Sequence, residues 1–122
     1  MPGDSFSTLP ISPAQAANLE SLGYLKMTPI QADSLPHVLA GRDLIAQAKT
    51  GSGKTAAFGL GLLAHVNPRF FGVQALILCP TRELADQVGK ELRRLARGVA
   101  NIKLVSLCGG KPAGPQRASL AQ

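Results

Sequence analysis

The pattern of apolar and polar positions near the N-terminus predicts two short helices. The segment "SPAQ" (12–15) combines a capping serine, a proline at the first helical position and a glutamine three residues after the cap. This pattern predicts a helix that ends at Gly23. The segment "TPIQ" (28–31) repeats the same start, so we expect a second short helix, interrupted near Pro36.

From Asp43 onward the pattern predicts strands and helices in alternation. Short apolar runs bounded by glycine or proline are typical of buried strands, and longer amphipathic runs are typical of helices. The predicted order is a strand at 44–48, a helix at 54–66, a strand at 74–79, a helix at 82–97 and a strand at 102–108, followed by the start of a helix at 115–122. This order predicts an α/β fold with a parallel sheet and right-handed crossovers.

Within this scheme, the helix at 82–97 has the clearest apolar face. The residues that form that face are Leu84, Val88, Leu92 and Leu95. We expect all of them to point into the core, with Gly98 ending the helix.

Size and charge place the chain among globular proteins with an anionic partner. The 122 residues, 45% of them apolar, are enough for one packed domain. Residues 1–60 hold four basic and four acidic residues, whereas 61–122 hold nine and three, so the second half carries the whole net charge of +6. This asymmetry favours a partner such as nucleic acid. A solvated basic helix face is the alternative.

Cysteine usage and hydropathy indicate a cytoplasmic protein. Cys79 and Cys108 lie far apart and in no CxxC or Cys/His cluster, so we interpret them as buried, reduced thiols rather than zinc ligands. The N-terminus lacks the basic start and apolar stretch of a signal peptide. No apolar run approaches the length that spans a membrane, so we expect no membrane association.

The segment "AQAKTGSGKTAAF" (46–58) has the composition of a phosphate-binding loop. Gly51 and Gly53 allow backbone N–H groups to point at an anion, and the following helix directs its positive end there. Lys54 can reach terminal phosphates, and the Thr55 hydroxyl is suited to Mg²⁺. The strict pattern GxxxxGK[ST] begins with glycine where this chain has Ala48. A glycine-rich turn with no ligand is the alternative.

These segments resemble the motifs of the DEAD-box RNA helicases. "AKTGSGKT" (48–55) is similar to motif I of that family, in which the leading alanine is usual, and "PTRELADQ" (80–87) resembles motif Ia. "CGG" (108–110) resembles the GG element that follows, and "GYLKMTPIQ" (23–31) with Phe6 resembles the Q motif. The resemblance implies a partial RecA-like P-loop NTPase domain, the first helicase domain, that binds ATP and Mg²⁺.

A narrower resemblance lies in "AAFGLGLL", "ELADQV" and "ELRRLAR", which are similar to bacterial DbpA-type helicases. It implies RNA, and ribosomal RNA in particular, as the partner. The family's motif I places the following residues at the nucleotide, with Lys54 and Thr55 catalytic and Thr55 on the metal: Ala48, Thr50, Gly51, Ser52, Gly53, Lys54 and Thr55.

The Q-motif residues carry two interpretations each. Gln31 is the third helical residue after Thr28, where its amide can bond back to the N–H of the cap. The resemblance implies instead that Gln31 binds the adenine edge, for which an amide offers both a donor and an acceptor. Phe6, Tyr24 and Thr28 match family positions at the nucleotide. From the sequence alone, ordinary core packing is the better explanation for the two aromatic residues.

Motif Ia likewise admits two interpretations. Thr81 is placed to cap a helix whose first N–H groups could hold a phosphate, and Arg82 could add a charge-assisted hydrogen bond to that phosphate. Glu83 and Asp86 already complement the helix dipole and would repel a phosphate, which favours a purely structural helix start. The resemblance implies that the RNA backbone is bound by Pro80, Thr81, Arg82, Gly109 and Gly110. We interpret Lys90, Arg93, Arg94 and Arg97 as structural because they suit the end of a helix.

Several elements of a complete helicase are not in the chain. No "DEAD" tetrapeptide occurs, nor do the later family segments TPGR and SAT. We expect a front fragment without the C-terminal half of the helicase, with residues 1–41 as a Q-motif region and 42–122 as an incomplete ATP-binding domain. The full-length protein is then an ATP-dependent RNA helicase, and the fragment alone is inactive. The alternatives are a non-catalytic nucleotide- or RNA-binding module and another P-loop NTPase such as a small kinase.

Overall fold

The computed structural model describes residues 5–49, 53–70, 72–99, 101–107 and 113–120. These residues form a short 3₁₀ turn at Phe6–Thr8 and five α-helices. The helices are α1 (Pro13–Ser21), α2 (Pro29–Leu39), α3 (Lys54–His65), α4 (Arg82–Ala96) and α5 (Ala113–Leu120). Every helix expected from the sequence is present, and its bounds agree with those predicted to within three residues.

The helix starts form as their capping residues predict. Ser12 Oγ accepts a hydrogen bond from the backbone N–H of Gln15 at 3.1 Å, and Thr81 Oγ1 accepts one from the backbone N–H of Leu84 at 3.1 Å. Each bond satisfies a backbone N–H that has no partner inside its helix. Gly23, with φ of 87°, ends the turn that follows α1.

The predicted interruption of α2 at Pro36 is wrong. The helix continues through Pro36 to Leu39. Pro36 removes one backbone donor and strains the preceding turn, but it lies on the exposed side, while its neighbour Leu35 is fully buried. Packing of α2 against α3 therefore outweighs the local cost of the proline.

Helix α3 lies between α2 and α4, and two glycines allow the close approach. A Cβ at Gly61 would clash with Val38 of α2, and a Cβ at Gly59 would come within 2.8 Å of Leu92 Cδ2 in α4. The core forms around this contact and continues to the N-terminal turn. Its buried members are Phe6, Leu9, Leu19, Leu35, Ala56, Ala57, Leu60, Leu63 and Leu95.

Helix α4 differs from expectation at one apolar position. Val88, Leu92 and Leu95 are buried as predicted, but Leu84 is 39% exposed. Leu84 lies in the first turn of the helix, away from the contact with α3 that covers the later turns. The apolar face therefore begins one turn later than its sequence pattern indicates.

The three predicted strands do not pair in the described part of the chain. The backbone of 42–49, 73–79 and 102–107 is irregular there, and the one bridge among the described residues is antiparallel, between Ser5 and Lys26. The predicted strand at 74–79 is not confirmed, and its residues Leu76 and Leu78 are 78% and 85% exposed. An apolar run favours burial, but burial requires a neighbouring element that covers it. Cys79 is half-buried and free, and Cys108 lies outside the described residues.

None of the helices described in the chain combines the length and apolar character needed to cross a membrane.

Candidate nucleotide-binding site

The C-terminal end of the predicted phosphate-binding loop is fixed by Gly53. This residue is the N-cap of α3 and has φ of 90°, a left-handed conformation that favours glycine. A Cβ at Gly53 would also clash with the amide of Gln31 and lie 3.1 Å from Thr28 Oγ1. Both the backbone and the space therefore require glycine here. Thr50, Gly51 and Ser52 lie outside the described residues.

Lys54 folds back across the loop. Its Nζ donates a hydrogen bond to the carbonyl oxygen of Ala48 at 2.5 Å. This bond joins the two ends of the predicted loop and holds the ammonium group beside it. An ammonium group has three donors, so two remain for an anion in the same place.

The N-terminus of α3 is suited to an anion, and that of α4 is less so. Helix α3 has no side-chain cap and no acidic residue in its first turn, so within the described residues no side chain offsets the positive end of its dipole. In α4, by contrast, Thr81 caps the helix and Glu83 lies in the first turn. The structure thus distinguishes two helix starts that both follow predicted loops.

Thr55, the second residue of α3, is half-buried. Its hydroxyl oxygen is a suitable ligand for Mg²⁺, which keeps several waters and uses few protein ligands when it also binds phosphates. The residues present therefore fit the metal in part. Among the described residues, no cluster of three or more carboxylate, histidine or cysteine side chains completes a metal site.

Gln31 connects the second helix to the loop. Its Oε1 accepts from the Thr28 amide at 2.9 Å, the reciprocal bond of a capping box, and its Nε2 donates to the Gly53 carbonyl at 3.1 Å. The side chain is 2% exposed. The capping interpretation is confirmed, and the contact with Gly53 is one that sequence reasoning missed, because 22 residues separate the partners. The adenine role stays a prediction.

The aromatic residues of the predicted Q motif lie in and beside the core. Phe6 is 4% exposed and packs edge-on against Tyr24, with ring centroids 6.0 Å apart and planes at 78°. Such a geometry stabilises an aromatic pair beyond the area it buries. Core packing therefore accounts for both rings here, and their predicted contact with the base is not tested.

Around motif Ia, Pro80, Thr81 and Arg82 are exposed at the start of α4. Thr81 uses its hydroxyl as the predicted cap. Gly109 and Gly110 lie outside the described residues. The RNA-binding role of this group stays a prediction.

A second contact missed by sequence reasoning joins α1 to the far end of α4. Asn18 Nδ2 donates to the carbonyl oxygens of Arg94 at 3.0 Å and Leu95 at 3.2 Å. Gln15 Oε1 also accepts from Asn18 Nδ2 at 3.2 Å. The partners are more than 70 residues apart, and no local pattern could have indicated the pairing.

Together, a left-handed glycine, a lysine bonded back to Ala48 and a helix N-terminus without a side-chain cap are the local features that a phosphate-binding loop of the P-loop class requires. Residues 28–122 match the family described as DEAD/DEAH box helicase, and the chain belongs to this family.

Among individual relatives, the chain is similar to the ATP-dependent RNA helicase DbpA of Escherichia coli, with 64% identity over 95% of the chain and 26% of the relative. It is 44% identical to the DEAD-box ATP-dependent RNA helicase CshA of Bacillus cereus, over 88% of the chain and 20% of the relative. The chain thus spans about a quarter or less of these curated relatives.

Solved structures of the family have the same fold. A DEAD box protein from Methanococcus jannaschii superposes with a TM-score of 0.90 at 40% identity, covering 96% of this chain and 32% of that one. The RNA helicase Prp28 from Chaetomium thermophilum, bound to ADP, superposes with a TM-score of 0.80 at 41% identity, covering 92% of this chain and 28% of that one. Saccharomyces cerevisiae Dbp5 bound to RNA and ADP BeF3 superposes with a TM-score of 0.77 at 34% identity, covering 88% of this chain and 29% of that one. The fold is therefore that of the corresponding part of RecA-like DEAD-box helicase domains.

Proposed function

We propose that this chain is the ATP-binding front part of an ATP-dependent RNA helicase of the DbpA type. The observation that carries the proposal is the arrangement at the start of α3. There the Lys54 ammonium, the left-handed Gly53 and the uncapped helix N-terminus meet beside the loop. These groups provide positive charge and N–H donors for the terminal phosphates of ATP.

The remaining site residues have complementary roles in this proposal. Lys54 neutralises phosphate charge and holds the loop closed through Ala48. The Thr55 hydroxyl would hold Mg²⁺, which when bound offsets the negative charge of the phosphates. Gln31 retains one unused N–H donor and one unused lone pair for the adenine edge, in addition to its bonds to Thr28 and Gly53. The full loop set comprises Ala48, Thr50, Gly51, Ser52, Gly53, Lys54 and Thr55.

RNA is the proposed second ligand, bound along its sugar-phosphate backbone by Pro80, Thr81, Arg82, Gly109 and Gly110. Relatives named as ATP-dependent RNA helicases support this assignment, as does a similar structure solved with RNA. We also propose ribosomal RNA as the substrate, from the resemblance of "AAFGLGLL", "ELADQV" and "ELRRLAR" to DbpA-type helicases, and the cytoplasm as the location.

We further propose that residues 44–48, 74–79 and 102–108 pair as a parallel sheet in the complete domain. Their apolar side chains, such as Ile45 and Leu78, are exposed in the described chain, and pairing would bury them. Residues 1–41 then form the Q-motif region, and 42–122 the first part of the ATP-binding domain.

A second candidate for the isolated chain is a binding module without hydrolysis. It is favoured by the finding that the described residues contain no cluster of acids beside Thr55 that could complete the metal site. ATP hydrolysis needs acids that position metal and water. In this case the chain holds nucleotide and RNA weakly, and turnover depends on the remainder of the helicase.

The proposal is tested by phosphate release, with and without RNA, from two preparations: the 122-residue chain and the full-length protein encoded by its gene. We expect RNA-stimulated release from the full-length protein and none from the chain. Lys54→Ala in the full-length protein should reduce turnover by about a thousandfold or more, because terminal-phosphate contacts are lost. Lys49→Ala removes an exposed neighbouring charge and should leave turnover nearly unchanged.

Unchanged hydrolysis by Lys54→Ala would show that the loop does not bind the phosphates. RNA-stimulated release from the 122-residue chain alone would show that a catalytic acid lies within it, and Glu83 and Asp86 would be the first residues to examine.

A further inference from the structure

Four basic side chains form a stripe on the exposed side of α4. They lie at positions i, i+3, i+4 and i+7, a spacing that aligns side chains along one helix face. We name Lys90, Arg93, Arg94 and Arg97 the basic stripe; all four are exposed. At roughly 100° per residue, the stripe lies opposite the buried face formed by Val88, Leu92 and Leu95. The core therefore leaves the stripe accessible.

The carbonyl groups at the end of α4 accept hydrogen bonds from groups other than these four cations. Basic side chains near a helix C-terminus often donate to the last carbonyl oxygens. Here the Arg94 and Leu95 carbonyls already accept from Asn18 of α1, and they also accept from the backbone N–H groups of Arg97 and Gly98 at 3.3 Å and 3.2 Å. The hydrogen-bonding role is therefore filled by other groups.

The positive charge of the basic stripe also exceeds the negative charge of the carboxylates that lie next to it. Arg94 lies 3.7 Å from Glu91, and Arg93 donates to the neutral hydroxyl of Ser106 at 3.3 Å. Among the described residues, no carboxylate lies within ion-pair distance of Lys90, Arg93 or Arg97. Like charges one helical turn apart repel and destabilise a helix. The helix dipole equals about half a charge at this end, so four cations are more than it requires.

We propose that the basic stripe is a second RNA-backbone contact, continuous with the proposed contact at motif Ia. This inference rests on the proposed function, because it assumes that the full-length protein binds RNA. From Arg82 to Lys90 the helix rises about 12 Å, and the stripe extends it by about 10 Å. A strand held at the start of α4 can therefore follow the same helix across several phosphates. Such contacts add affinity without sequence preference.

The test uses the double variant Lys90→Gln/Arg97→Gln in the full-length protein, with affinity for two RNAs of unrelated sequence measured across a salt series. Each lost phosphate contact should make the log-log salt slope shallower by about 0.7–0.9, so we expect a change of about 1.5. At about 100 mM salt, the affinity should fall about tenfold or more for both RNAs alike. ATP turnover at saturating RNA should stay the same.

The matched control Lys26→Gln/Arg69→Gln removes one lysine and one arginine that are also exposed but lie outside α4. It should leave the salt slope unchanged. Arg97→Gln alone should shift the slope by about half as much, so the test remains available if the double variant folds poorly.

The inference is overturned if the wild-type protein binds RNA and both stripe variants keep its salt slope. It is also overturned if the double variant loses binding to polyglutamate but not to RNA, which would assign the stripe to an acidic protein partner. Failure of the wild-type protein to bind any RNA would instead refute the proposed function itself, and the inference with it.

Discussion

At the scale of single residues, Gln15 and Gln31 show how one local position serves two purposes. Each is the third residue of its helix after a capping serine or threonine, and each is buried, at 5% and 2% exposure. Gln15 Oε1 accepts a hydrogen bond from Asn18, the residue of α1 that also donates to the end of α4. Gln31 Nε2 instead donates to the Gly53 carbonyl at the start of α3. The sequence pattern is the same, and the difference lies in what each side chain reaches.

This pair provides a matched test of nucleotide selection. Gln31→Ala in the full-length protein should reduce the preference for ATP over GTP by about 5- to 30-fold, because two hydrogen bonds to adenine are lost. The measurement is kcat/KM for both nucleotides. Gln15→Ala removes a glutamine from the equivalent position and should lower stability without altering the preference. Equal discrimination by Gln31→Ala and the wild type would leave Gln31 with only its capping role.

At the scale of secondary-structure elements, the helices could be predicted and the strand pairing could not. A helix start depends on residues within one turn, so Ser12, Thr28 and Thr81 sufficed to place three of them. The continuation of α2 through Pro36 depends on packing with α3, which the local pattern does not contain. Strand pairing requires partners about 30 residues away, and the apolar runs alone gave no information on whether those partners meet.

The same distinction applies to the site. Lys54, Thr55 and Gly53 are neighbours in sequence, so their place at the start of α3 was predictable. The contact between Gln31 and Gly53 joins two helices and became visible only in the fold.

The packing of α2 on α3 predicts a specific effect of Gly61→Ala. The added methyl clashes with Val38, whose branched side chain has little freedom to move. Overpacking costs about 1–3 kcal/mol, and alanine regains about 1 kcal/mol in helix propensity. We therefore expect the free energy of unfolding to fall by up to about 2 kcal/mol, seen as a thermal midpoint lowered by up to about 8 °C in the full-length protein.

Two further variants distinguish overpacking from a general effect of alanine. Val38→Ala combined with Gly61→Ala should cost less than the two single losses added together, because the clash is removed. Gly114→Ala in α5 has no heavy atom within 4 Å of its new methyl, so it should leave the midpoint unchanged or slightly raised. A strictly additive double variant would contradict the packing explanation.

At the scale of the whole molecule, several large apolar side chains are exposed in the described part of the chain. Ile45, Leu76 and Leu78 are 100%, 78% and 85% exposed. Leu76 and Leu78 also border an open groove of about 600 Å³ beside α2 and α3. Contiguous exposed apolar surface favours association in water, and unpaired backbone in such segments adds to this tendency.

We therefore expect the 122-residue chain to associate as its concentration rises, as measured by analytical ultracentrifugation. Leu76→Lys/Leu78→Lys should shift the chain toward monomer, since charges on exposed apolar segments oppose association. Lys26→Gln is a control for a change in an unrelated exposed side chain, and it should leave association unaffected. A chain that stays monomeric at high concentration without these substitutions would contradict the expectation.

The hydrogen bonds from Asn18 to the end of α4 have a consequence for synthesis on the ribosome. The partners are separated by 76 and 77 residues, and at about 5–20 residues per second the second partner is made roughly 4–15 s after the first. Helix α1 therefore leaves the exit tunnel before α4 exists. Leu19, which is 1% exposed in the finished fold, belongs to a core that also contains Leu95 of α4 and is complete only after α4 has been made. Throughout that interval, the nascent chain displays an apolar surface that a chaperone can bind.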